Sequence, residues 1–151
     1  ALKFAQARLS PGMVAQIAGT AAVDTPDSYF EAVNKEYTQR RDILVSSLNR
    51  IPGVYCPNPG GAFYVVAKFP IDNADKFCQW MLEEFSYDNQ TVMMAPATGF
   101  YSSSDAPVDE VRLAYVLKKE DLEAAIKCLE VALAQYPGRT VVNTASSAVE
   151  S

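Results

Sequence analysis

Apolar positions in the first third of the chain recur at three- and four-residue steps, the spacing of one helix face. Met13, Ile17 and Ala21 fall on such a face and predict a helix from about Pro11 to Ala22. Ser10 suits its N-cap and Pro11 its first turn. Tyr29, Phe30, Val33, Tyr37, Ile43, Leu44, Val45 and Leu48 continue the spacing, with charged residues between them. They predict a long amphipathic helix over about Pro26–Arg50, with Thr25 as N-cap and Ile51-Pro52-Gly53 as its stop.

The period then changes. Val54-Tyr55 begins a short strand, and Pro57, Pro59, Gly60 and Gly61 make a turn-rich stretch. Ala62–Ala67 is a β-branched and aromatic run, apolar on both faces, and predicts a covered strand. Asn73–Phe85 predicts a helix with Phe77, Trp80, Met81 and Phe85 on one face. Thr91–Ala95 predicts a second strand ended by Pro96, and Ala97–Asp109 a loop. Glu110–Val116 predicts a third strand, with Val111, Leu113 and Tyr115 on one side and Arg112, Ala114 and Val116 on the other. Lys118–Gln135 predicts a helix with an acidic first turn and a stripe of Leu122, Ile126, Leu129 and Leu133. Thr144–Ser151 is small and polar and reads as a flexible tail.

Strands mixed with helices, without strict alternation, predict an α+β layer: a small, largely antiparallel sheet of three to four strands packed against helices. The loop without a helix between the second and third strands suits antiparallel neighbours. A length of 151 residues is enough for one core.

Composition narrows the chemistry. A formal charge of -5 with scattered Lys and Arg argues against nucleic-acid binding. No apolar run approaches the length of a membrane span. Cys56, Cys78 and Cys128 are widely spaced and form no CxxC, and the chain has no histidine, so a zinc site is disfavoured. These thiols read as reduced, in a cytoplasmic protein, with Cys78 and Cys128 packed on helices. Without histidine, the Ser-His-Asp and Cys-His devices are excluded within this chain.

Arg112 is the most informative polar residue. It interrupts the apolar strand Val-Arg-Leu-Ala-Tyr-Val, where a guanidinium must be paired, face solvent at an edge, or face a ligand. Its planar fork matches a carboxylate. Gly60-Gly61 permits a positive φ or a close backbone approach, or serves as a plain tight turn. Met94–Phe100 is a strand end entering a loop, a common place for sites and for ordinary loops alike.

The order of these motifs is more specific than any one of them. A long helix ends in Arg-x-Pro-Gly-Val. Gly-Gly-Ala-Phe-Tyr follows, then a helix, a Val-Met-Met-Ala-Pro strand, a loop, Val-Arg-Leu-Ala-Tyr and a last amphipathic helix. This resembles the C-terminal small domain of class I/II aminotransferases, fold-type I pyridoxal-phosphate enzymes, over roughly Asp24–Tyr136. The opening Phe4–Pro11 is most similar to the aspartate-aminotransferase-like branch. The resemblance implies that residues 1–23 follow a large cofactor-binding domain, that residues 24–138 are the C-terminal domain and that residues 139–151 are a tail.

It also implies that Arg112 binds the substrate α-carboxylate and that Arg8 or Ser10 lies near a neighbouring subunit's site, a helix lead-in being the alternative for those two. The intact parent would be a cytoplasmic homodimer with pyridoxal phosphate as cofactor and amino acids and 2-oxo acids as substrates, aspartate and 2-oxoglutarate among them. The family's Schiff-base lysine, ring-stacking aromatic, pyridine-nitrogen aspartate and phosphate loop precede the matched region. On this reading the chain alone holds no catalytic or cofactor-binding residue and is inactive. Ala97 stands where the family has a glycine, with Gly99 two residues later. The competing readings are an aminotransferase-like domain of a regulatory protein without catalysis, or a free-standing small-ligand binder.

Overall fold

The computed structural model describes residues 11–103 and 105–140. The chain divides into two compact units, Ala1–Lys35 and Glu36–Ser151. In the first, helix α1 (Met13–Ala22) begins after Gly12, so Pro11 precedes the helix rather than opening it. The Gln16 side chain donates to the Pro11 carbonyl at 2.8 Å, and the Thr20 hydroxyl to the Gln16 carbonyl at 3.1 Å. The predicted Ser10 cap lies outside the described residues, as do Lys3, Arg8 and Thr144–Ser151. No residue of α1 is buried. Helix α2 (Asp27–Leu48) starts in this unit and continues into the second.

The second unit holds the core. It contains β1 (Tyr64–Lys68), α3 (Ala74–Glu83), β2 (Ala95–Pro96), β3 (Glu110–Ala114) and α4 (Lys119–Gln135). The strands form an antiparallel sheet in the order β1-β3-β2, so the fold is α+β as the pattern predicts. One face of the sheet is buried. Val65 and Ala67 of β1 and Val111, Leu113 and Tyr115 of the β3 segment meet Leu44 and Leu48 of α2, Phe77 and Met81 of α3, and Leu122, Leu129 and Leu133 of α4 in one apolar cluster. The α4 stripe read from the sequence is buried throughout. Burial of a large apolar side chain of this kind stabilises by roughly 1.5–3 kcal/mol.

Local chemistry sets the ends. The Asn73 side chain caps α3 by accepting from the Lys76 amide at 3.0 Å. Gly53, at φ 86°, supplies the left-handed residue that turns the chain away from α2. Asn49 then clips that turn, exchanging 2.9 Å hydrogen bonds with both backbone groups of Cys56. The short strand expected at Val54-Tyr55 is a single bridge, Tyr55 to Lys68.

Two further elements differ from the pattern. The strand expected over Thr91–Ala95 pairs only at Ala95–Pro96, and residues 91–94 make no ladder with β3. An apolar cavity of about 350 Å³ lies there, with Val92, Met93, Leu113 and Val116 in its lining. The strand ends at Pro96, as expected, with Pro96 its last paired residue, at the sheet edge where a missing N–H costs no ladder bond. The positive φ that Gly60-Gly61 would permit is found instead on Ala62, at 64°. Tyr115 holds that residue, its hydroxyl donating to the Ala62 carbonyl at 2.8 Å and its amide to the Phe63 carbonyl at 2.9 Å.

The three cysteines are free and buried, and burial pushes the Cys56 and Cys78 thiols up to about 11. That protonated, enclosed state makes them packing residues. Among the described residues no helix is long and apolar enough to cross a membrane, and no group of His, Cys, Asp and Glu could hold a metal ion.

Candidate functional site

The alternation of β3 that buries Val111 and Leu113 turns Glu110, Arg112 and Ala114 to the opposite face. The register with β1 brings Tyr64, Val66 and Lys68 to that same face, opposite Ala114, Arg112 and Glu110 respectively. Ala95 of β2 pairs with Arg112 from the other side. This face is more open than the core face: Arg112 and Val66 are half-buried, and Tyr64, Lys68 and Ala114 are exposed.

Arg112 is central on that face, in the middle strand. Among the described residues it makes no salt bridge and no side-chain hydrogen bond. Other arginines of this unit do: Arg40 is bound to Glu36 at 2.9 Å, and Arg41 to Asp42 at 2.8 Å. What Arg112 has instead is two aromatic rings. Its guanidinium carbon lies 4.6 Å from the centre of the Phe100 ring and 5.3 Å from that of Tyr64. A ring face attracts the cation without consuming its N–H donors in strong hydrogen bonds. The planar donor edge of a half-buried guanidinium is thus left for an acceptor from outside, and a carboxylate matches it with two parallel bonds.

Phe100 arrives from the turn Thr98–Phe100, which is anchored on both sides. The Ala97 amide donates to the Glu110 carbonyl at 2.9 Å, and the Thr98 hydroxyl to the Asp75 carboxylate at 3.0 Å. The Tyr101 hydroxyl donates to the Glu110 carboxylate, and that bond raises the pKa of Tyr101. Glu110 accepts from Tyr101, and Asp109 pairs with Lys68 at 3.3 Å; neither carboxylate forms an ion pair with Arg112.

Sequence reasoning singled out Arg112 and placed it on the correct face. It also named the Gly-Gly-Ala-Phe-Tyr and Met94–Phe100 segments, which the fold brings together at Arg112 through Tyr64 and Phe100. It did not name those two rings as the guanidinium's neighbours. The aromatic pair Phe100-Tyr101 directly after Gly99 was the available signal.

Residues 1–129 match the family described as aminotransferase class I and II. An aspartate aminotransferase from Pyrococcus horikoshii is 34% identical over 122 residues, covering 78% of this chain and 29% of the relative. One from Geobacillus stearothermophilus is 33% identical over 125 residues, again 78% of this chain and 29% of the relative. Among solved structures, an alanine aminotransferase from Pyrococcus furiosus superposes with a TM-score of 0.67 at 29% identity, covering 85% of this chain and 32% of that one. The chain belongs to the class I and II aminotransferases. It spans less than a third of the length of these relatives.

That family uses pyridoxal phosphate, and the described residues do not by themselves fit it. A Schiff-base lysine needs a setting that lowers its pKa, by burial or a neighbouring cation. Lys35, Lys68, Lys76, Lys118 and Lys127 are exposed, and Lys119 is paired with Glu36 at 3.3 Å. Lys3 lies outside the described residues.

Proposed function

We propose that this chain is the C-terminal small domain of a pyridoxal-phosphate-dependent aminotransferase that moves an amino group between an amino acid and a 2-oxo acid, and that Arg112 binds the α-carboxylate common to both. The observation that carries this reading is the state of Arg112. It is a half-buried, centrally placed guanidinium with two ring neighbours and, among the described residues, no anionic partner. A structural salt bridge, the plain alternative for such an arginine, would leave a carboxylate beside it.

The chemistry asked of this domain is binding and orientation. Both oxygens of a carboxylate on the Arg112 fork fix the substrate in two dimensions, and β3, in the middle of the sheet, gives that fork a rigid base. The electron sink for amino-group transfer is the cofactor's contribution in the intact enzyme. The aspartate aminotransferases among the relatives make aspartate and 2-oxoglutarate the first pair to assay.

The reading is tested on the isotope-labelled chain by titration with succinate, followed at the Arg112 Nε–Hε resonance. A saturable shift with succinate, and none with uncharged succinamide, is expected. Equal responses to the two compounds, or no response at Arg112, would refute it.

A further inference from the structure

Phe100 is a large ring that is 61% exposed, so burial does not explain its place. Its backbone is nonetheless held. The Phe100 amide donates to the Ala97 carbonyl at 3.0 Å, Ala97 is bonded to β3 at 2.9 Å, and Thr98 to α3 at 3.0 Å. The next residue, Tyr101, is bonded to the Glu110 carboxylate, two positions from Arg112 on the same face. The turn is therefore clipped to the sheet on either side of Phe100. The ring meets the guanidinium at 4.6 Å, closer than Tyr64 does.

An acidic residue would hold a guanidinium in place more strongly than a ring, but it would occupy the donor edge. A ring fixes the cation through its face and leaves the edge open. From these observations we infer that Phe100 is a positioning residue for Arg112. It orders the guanidinium before any ligand arrives, so that an incoming carboxylate meets a fork already aimed. This rests on the carboxylate-binding role proposed above for Arg112. Ordering a long, rotamer-rich side chain in advance lowers the entropic cost of binding. It predicts a modest, specific effect on affinity and none on the fold.

The test uses the full chain, isotope-labelled, as wild type, Phe100→Leu and Phe100→Tyr. Two quantities are read: the heteronuclear NOE of the Arg112 Nε–Hε pair without ligand, and the Kd for succinate followed at the same resonance. Phe100→Leu is expected to lower the NOE and weaken succinate by roughly three- to tenfold, the size of one cation–π contact. Phe100→Tyr, which keeps the ring face, should restore both, with thermal unfolding the same in all three proteins. An Arg112 NOE untouched by Phe100→Leu overturns the inference, and so does a loss that Phe100→Tyr leaves unrepaired. If the NOE contrast appears but wild type shows no succinate-dependent shift, the positioning of Arg112 by Phe100 stands and the carboxylate role of Arg112 falls.

Discussion

Arg112 and Tyr64 are diagonal neighbours across the β1–β3 ladder, the guanidinium carbon 5.3 Å from the ring centre. The pair joins the two most distinctive segments of the sequence, Gly-Gly-Ala-Phe-Tyr and Val-Arg-Leu-Ala-Tyr, on one face of the sheet. It also shows what Arg112 does not contribute, which is a salt bridge to hold the domain together. Replacing Arg112 by Met, which keeps the apolar stem, should therefore change the unfolding free energy by no more than about 1.5 kcal/mol, the scale of its cation–π contacts. Urea unfolding checks this. A loss of about 3–5 kcal/mol, as when a buried ion pair is broken, would place a counter-ion beside Arg112 and remove the case for a ligand.

Tyr115 anchors the turn that precedes β1. The residue is 2% exposed, and its hydroxyl donates to the Ala62 carbonyl at 2.8 Å. Tyr115→Phe removes the donor and keeps the ring, so it should destabilise by about 1–2 kcal/mol. For a chain of this size that corresponds to a fall of roughly 2–8 °C in the unfolding midpoint. Calorimetry should also show a larger fall for Tyr115→Leu, which loses ring packing as well.

Ala62 holds a φ of 64°, a region unfavourable for any residue with a Cβ. Ala62→Gly relieves that strain, offset in part by the extra freedom glycine gives the unfolded chain. A net gain of up to about 1 kcal/mol in stability is expected, read as a higher urea midpoint at unchanged slope. A clear loss would mean that the Ala62 methyl group makes a contact worth more than the strain.

Asp72 and Tyr136 form a pH-sensitive clasp, the Tyr136 hydroxyl donating to the Asp72 carboxylate at 2.9 Å. The bond from Tyr136 holds the Asp72 carboxyl below its usual range, while burial and then the same bond push Tyr136 up to about 12. For Asp72, depressed in the folded chain, the contribution is present above the unfolded pKa near 4 and lost as pH falls through the folded value. For Tyr136, raised in the folded chain, it is present below the unfolded pKa near 10 and lost as pH rises toward 12. Unfolding titrations should thus show stability falling at both extremes, and Tyr136→Phe should flatten the alkaline limb. An alkaline limb equally steep in Tyr136→Phe would assign that loss to other groups. Gly138 belongs to the same clasp, since a Cβ there would collide with the Asp72 carboxyl.

The stripe of α4 was legible because burial on one face imposes a helical period that extends over several turns, whereas α2 is buried only at Leu44, Ser47 and Leu48 and was legible from its apolar spacing alone. The face on which Arg112 stands was legible for the same reason, through the period of two in β3. The extent of β2 was not. Thr91–Met94 has the residue types of a strand, but a strand also needs a paired partner, which this segment lacks among the described residues, and composition does not record that. Nor did the sequence reveal that Ala62, rather than Gly60 or Gly61, takes the left-handed conformation, because a long-range bond from Tyr115 imposes it. The rings beside Arg112 come from segments 48 and 12 positions away in the chain, brought together by the β1–β3 register and the clipped turn. Local pattern carries no trace of such a meeting.

The central claim is that Arg112 is the anchor for the α-carboxylate. Its most direct measurement is the steady-state kinetics of the intact aminotransferase with Arg112→Ala, using aspartate and 2-oxoglutarate. Losing a charge-assisted, two-bond contact should lower kcat/KM for both substrates by well over tenfold, with the cofactor's absorbance retained. Unchanged kcat/KM for both, in a protein that still holds its cofactor, would contradict the account.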